Sequence, residues 1–213
     1  AEKRGAFWSG LALLTVWLFI ALWLVASGFY GGTPSRIPTI QYGILVPIVV
    51  GTLLYRFWPA LRRVVEAVPQ EWLVGVQFYR ALGLIFVVLY TQGRLPGAFA
   101  LPAGICDMTV GLLAPVVAIA YGRRSSLAGS LVRAWNWLGI TDLVVAIGTG
   151  FLTSPSQLQR LALDAPNELI SRFPLAMIPV FLVPLSFLLH FASLEKLRQA
   201  ETGRHSVRPV LAG

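Results

Sequence analysis

The chain has 213 residues, of which 56% are hydrophobic and 12% charged, with a mean hydropathy of +0.73; an ordinary soluble domain carries about 25% charged residues. Its apolar residues fall into runs of about 20, the length a helix needs to cross about 30 Å of hydrocarbon. A soluble globular enzyme, a disordered protein and a secreted disulfide scaffold are thereby excluded, and the single cysteine, Cys106, has no second thiol to bridge.

Seventeen Lys and Arg against nine Asp and Glu give a net charge of +8, a balance that in a soluble protein points to nucleic acid. The distribution points elsewhere. Cutting the chain at its apolar runs leaves Lys3, Arg4, Arg56, Arg62, Arg63, Arg123, Arg124, Arg133, Lys196, Arg198, Arg204 and Arg208 in one set of alternate segments. The other set holds Arg36, Arg94, Arg160 and Arg172, with Arg80 left inside a run. Cytoplasmic loops are the ones enriched in Lys and Arg, so both termini are predicted to be cytoplasmic, as in a bacterial inner-membrane protein. Anionic lipid headgroups then account for the basic surplus, and no nucleic-acid partner is needed.

In chain order, the first run, 7–30, follows a short basic segment as a signal peptide does. It exceeds the roughly 7–15 residues of a signal core and is expected to stay in the membrane. A Gly-Gly-Thr-Pro turn, Gly31 to Pro34, leads to the second span, 39–58. Residues 59–68 place Leu61, Val64, Val65 and Val68 on one helical face and Arg62, Arg63 and Glu66 on the other, which predicts a helix lying flat at the headgroups.

The third span, 69–92, is followed by a Pro/Gly-rich loop from Gly93 to Pro102, and the fourth occupies 101–121. The fifth, 127–152, ends before Ser154-Pro155-Ser156-Gln157, a capping-box pattern with Pro at the first helical position. A short surface helix is expected there, ending near Pro166. The sixth span is 173–194 and a polar cytoplasmic tail, 195–213, follows. Six helical spans in one bundle result, since lipid offers backbone groups no other partner. Trp8, Trp58, Trp72 and Tyr30 fall near span ends, where aromatic belts form. The seven tryptophans suit interface anchoring better than stacking on a pigment or quinone. Pro47, Pro115, Pro179 and Pro184 fall inside even-numbered spans, where they fit either bent helices around a cavity or the ordinary tolerance of membrane helices for proline.

Three charges lie well inside predicted spans: Arg80, Asp107 and Asp142. A charge at the bilayer centre costs about 2.5–3.5 kcal/mol even on lenient insertion scales, so such groups face the bundle interior and pair. Counted from the basic end at 1.5 Å per residue, Arg80 lies roughly 16 Å in and both aspartates roughly 20 Å in. Gly104, Asp107, Gly111, Ala114 and Ala118 form one stripe, and Gly139, Asp142, Ala146 and Thr149 another, of the small residues that let helices approach closely in lipid. Gln77 and Gly83 flank Arg80 at i−3 and i+3. Arg80 is therefore expected to pair with one or both aspartates.

One cation for two carboxylates leaves a charge unbalanced, which suits proton or solute handling; a buried ion pair that only fixes helix register is the other reading. Tyr79, Asn136 and Gln41 are candidates to line a polar cavity or to bond neighbouring helices. His190, the one intramembrane histidine, is expected to meet a backbone carbonyl or headgroups; as a haem ligand it lacks a second intramembrane histidine, leaving only a lone-ligand site. No zinc-binding spacing, P-loop or nucleophile elbow occurs, no lysine falls in any span to carry retinal, and no cofactor is named by the sequence. Three function classes remain. They are a small carrier, channel or small-molecule-binding protein using Arg80, Asp107, Asp142, Gln77, Tyr79 and Asn136; a non-catalytic accessory or assembly subunit of a larger membrane complex or homo-oligomer; and an intramembrane enzyme on a hydrophobic substrate. The last is weakest, because no nucleophile or metal constellation accompanies the carboxylates.

Overall fold

A computed structural model describes residues 2–31 and 39–207. The Gly31 to Pro34 turn beyond its first residue, Arg36 and the last six residues of the tail lie outside them. All regular structure among the described residues is helical, with no strand, and six helices are long and apolar enough to cross a membrane.

Helix α1, Glu2–Ala26, presents Val16, Phe19, Ile20 and Trp23 as exposed side chains along one face, a surface stable only against acyl chains or another apolar face. Helix α2, Ile40–Phe57, ends at Trp58. Pro59 then starts α3, Pro59–Ala67, at the first-turn position where a missing N–H costs nothing. As predicted, α3 is amphipathic. Its Arg62 Nε donates to Glu66 Oε1 at 2.8 Å, one turn on, and that bond holds the Glu66 carboxyl below its usual range. Lys196 Nζ donates to the carbonyl of Glu66 at 2.7 Å and to that of Val68, tying the last helix to the end of α3.

The third span is not one α-helix. It runs as α4, Gln70–Gly75, a 3₁₀ segment, Val76–Gly83, and α5, Leu84–Thr91. Helix α6, Gly97–Gly122, begins several residues before the predicted 101, directly after Pro96. Pro102, expected to close a loop, therefore sits inside the helix as its sixth residue, where it removes the donor to the carbonyl of Ala98, a loss that membrane helices tolerate. Helix α7 spans Ala128–Thr153.

The surface helix expected from Ser154 does not form. Ser154 is the extended residue that ends α7, the backbone N–H groups of Arg160 and Leu161 both return to the carbonyl of Leu152, and Ala162 takes a positive φ of 53°. The capping-type serine is Ser156, whose Oγ accepts from the N–H of Leu158 to make a turn. Regular structure resumes in a 3₁₀ turn, Leu169–Ser171. The last span starts at Ile178, later than the predicted 173, with a π segment, Ile178–Leu182, around Pro179, then α8, Val183–Val207. Residues 195–207 of the expected polar tail thus continue a helix.

Three apolar clusters fill the bundle. One, at the end carrying the basic residues, joins Val74, Val110, Val132, Trp135 and Leu197. A second, at the opposite end, joins Ala21, Val25, Ile40, Ala176 and Val180 with Tyr30, which is buried there and not in an interfacial belt; its ring lies against the backbone of Gly43, where any Cβ would strike it. A third packs Phe86, Leu89, Phe99 and Ile170. Trp8 and Trp72, by contrast, are exposed near helix ends.

Helix α6 lies in close contact with the third span because the stripe expected on it faces that way. A Cβ at Gly111 would fall onto the backbone of Arg80 and Ala81, whereas one at Gly129 of α7 would meet nothing within 4 Å. Gly111→Ala is therefore expected to cost about 1–3 kcal/mol by overpacking, and Gly129→Ala to hold or slightly raise stability through helix propensity. Thermal unfolding in detergent followed by circular dichroism checks the contrast; equal melting of the two variants would refute the close approach.

Candidate functional site: an arginine shared by three helices

Arg80 lies in the 3₁₀ segment, and that geometry decides what surrounds it. With three residues per turn, side chains at i and i+3 eclipse, so Gln77, Arg80 and Gly83 stand in one ridge; in an α-helix each step of three would rotate the direction by about 60°. These are the three residues of the segment that are buried. The ridge puts a long cation, an amide and a gap against α6, α7 and α8.

Each nitrogen of the guanidinium donates to a different helix. Nε donates to Asp107 Oδ1 on α6 at 2.6 Å, Nη2 to Asp142 Oδ2 on α7, and Nη1 to His190 Nε2 on α8 at 2.9 Å. Arg80 is 2% exposed. Glycines make room at every approach: a Cβ on Gly83 would sit 2.6 Å from that of Asp107, and one on Gly139 would collide with His190 and with Arg80 Nη1. Both aspartates expected to pair with Arg80 are thus in contact with it.

His190 is not where its sequence position placed it. It meets neither headgroups nor a backbone carbonyl; it is wholly buried and belongs to the cluster. Arginine has no acceptor, so His190 Nε2 must carry the lone pair and Nδ1 the hydrogen, which points at Asn136 Oδ1 2.8 Å away. The imidazole is therefore neutral. Asn136 Nδ2 in turn donates to the Val132 carbonyl and to Ser193 Oγ, both at 2.8 Å, and Gln70 Nε2 donates to Ser193 Oγ at 2.6 Å. A polar path of side chains runs from Arg80 to the foot of α4. Its members on α8 were legible as a stripe, since Ser186, His190 and Ser193 recur at i, i+4 and i+7 in an otherwise apolar run. Gln77 Nε2 lies 3.5 Å from His190 Nδ1, but with the hydrogen on Nδ1 two donors face each other there, so Gln77 stands beside the network without bonding to the imidazole. Tyr79 stands beside the cluster, its hydroxyl 2.7 Å from Ser186 Oγ. Gln41, half-buried on α2, takes no part in these bonds.

The two carboxylates have different surroundings. Asp142 is closed in, its side chain 3% exposed and its Oδ1 buried without a partner, while the Asp107 side chain is 17% exposed. Asp107 is the polar residue at depth in an open cleft walled by Ile44, Phe86, Phe99, Ala103, Leu143, Ala146, Phe151 and Ile178, with Ser154 also on its lining. A smaller cleft, reached by Tyr79, Leu182 and Ser186, lies against the same carboxylate. Among the described residues no group of three His, Cys, Asp or Glu is placed to hold a metal ion. The arrangement offers an acceptor anchored from behind by a buried cation and facing an apolar space.

Removing one partner of a buried ion pair leaves the other uncompensated, at about 3–5 kcal/mol. Arg80→Gln is expected to lose that much stability, and the triple variant Arg80→Gln, Asp107→Asn, Asp142→Asn to recover most of it. Denaturant titration of the purified protein measures both; a stable single variant would show that the bonds to Arg80 do not hold the helices together.

No curated protein and no solved structure matches the chain. A family model, that of a domain of unknown function (DUF8737), matches residues 37–198, from just before α2 to within α8 and including every member of the Arg80 cluster. The chain belongs to that family, the DUF8737 domain of unknown function.

Proposed function

We propose that the protein is a small polytopic carrier of the bacterial inner membrane that binds a hydrophobic small molecule in the Asp107 cleft and couples its passage to protons. Asp107 is the anchor, Arg80 and Asp142 set the charge around it, and His190, held by Asn136, fixes the guanidinium, with Gln77 beside it and Tyr79 at the neighbouring cleft. The carrying observation is the double position of Asp107, bonded to a buried arginine on one side and open to an apolar cleft on the other. A purely structural ion pair has no need of the second. The twelve-to-four division of Lys and Arg across alternate segments supports cytoplasmic termini, which places the cleft in the outer half and the Asn136–Ser193–Gln70 path in the inner half.

The accessory-subunit reading draws on one observation, the exposed apolar face of α1, which a second membrane protein would cover as well as lipid does. Recovery of a stoichiometric membrane partner after mild solubilisation would favour it.

For the carrier, liposomes containing the protein and a trapped pH-sensitive dye are expected to show a compound-dependent change of internal pH, above that of empty liposomes, for at least one of a panel of small lipophilic molecules. Asp107→Asn keeps an oxygen for Arg80 Nε to donate to, so it is expected to stay folded and to lose most of the change. A wild-type protein that moves no protons with any compound, or an Asp107→Asn variant as active as the wild type, would overturn this function.

A further inference from the structure

Resting on that reading of the Asp107 cleft, we infer that its ligand is an amphiphilic monocation, with an ammonium head at Asp107 and an apolar body in the cleft, and that it binds in exchange for one proton. Two independent features point to this ligand class. The first is charge. The ionisable groups that meet at the cluster are Arg80 and Tyr79 from the 3₁₀ segment, Asp107 from α6, Asp142 from α7 and His190 from α8. With the imidazole neutral, as its bonds require, and the phenol neutral, one guanidinium faces two carboxylates. In an apolar surrounding the surplus negative charge has to be neutralised, either by a proton or by a cation that arrives in the cleft.

The second feature is the wall. Phe86, Phe99 and Phe151 line the cleft, and the first two stack edge to face at 5.2 Å. Aromatic faces beside a carboxylate are the chemistry that receives quaternary ammonium groups. A carboxylate ligand would meet Asp107 as a like charge, and a neutral apolar one would leave the surplus charge unanswered.

The exchange balances without any further reactant. In the resting cluster one carboxylic O–H bond is intact; as the cation settles against Asp107 that bond breaks, its electron pair stays on the carboxylate oxygen, and the proton passes to water. The cluster ends with two positive and two negative charges. Inward movement of one cation thus returns one proton outward, with no net charge moved.

Benzyltrimethylammonium, its uncharged carbon isostere neopentylbenzene and the anion phenylmethanesulfonate test the class by isothermal titration into the detergent-solubilised full chain. The cation alone is expected to bind strongly, and its observed enthalpy should vary among buffers of different ionisation heat in proportion to about one proton released. Asp107→Asn should weaken the cation about thirtyfold or more, as loss of one partner of a desolvated charge pair does, while Asp107→Glu restores it. Competition by dihexanoylphosphatidylcholine would assign the ammonium to a lipid headgroup, and lack of competition to a free amphiphile. Equal binding of the neutral isostere, unaffected by Asp107→Asn, would overturn the cation while the cleft remains a binding site; cation binding without proton release would overturn the exchange. Failure of all three probes together with silence in the liposome assay would remove both the inference and the function beneath it.

Discussion

A guanidinium is planar, permanently charged and carries five N–H donors in fixed directions, so an arginine in an apolar bundle dictates where its acceptors stand. Around Arg80 those acceptors come from α6, α7 and α8, one for each nitrogen. The three helices are separated in sequence by loops of unrelated character, yet they must converge to within hydrogen-bonding distance of one side chain. Small residues at Gly83, Gly104, Gly111 and Gly139 are the condition for that convergence, because a side chain at any of them would occupy space now held by the cluster or its backbone.

The same constraint divides the bundle along its length. Toward the basic end, polar side chains continue from His190 through Asn136 and Ser193 to Gln70, set among the apolar contacts of Val74, Val132 and Trp135. Toward the other end, the space beside Asp107 is walled by aliphatic and aromatic groups. The ion cluster is the boundary between a wired half and an oily half. That asymmetry is what the proposed carrier rests on, since a pair serving register alone works equally well with identical surroundings on both sides.

Much of this was legible in the chain before any coordinates. Long apolar runs fixed the six span-length helices, and the cost of isolated charge in hydrocarbon was enough to bring Arg80, Asp107 and Asp142 together. Periodicity located α3 and the small-residue stripes. The place of His190 is hidden by its distance along the span, which points to the headgroups; only together with Ser186 and Ser193 on the same face does the position read as part of a buried polar stripe. The segment after Ser154 carried a genuine helix-start pattern, but a local cap cannot compete when neighbouring N–H groups fold back onto the end of α7. Departures from α geometry within a helical run, at Val76–Gly83 and at Ile178–Leu182, leave no mark in hydrophobic periodicity, since both conformations serve the same residues.

The first of those departures alters the ruler by which depth is judged. A 3₁₀ turn advances about 2.0 Å per residue against about 1.5 Å in an α-helix, so the stretch from Val76 to Arg80 carries the arginine roughly 2 Å farther along the helix axis than its ordinal position implies. Half of the shortfall between Arg80 and its two carboxylates disappears by backbone extension, before the side chain has to reach at all.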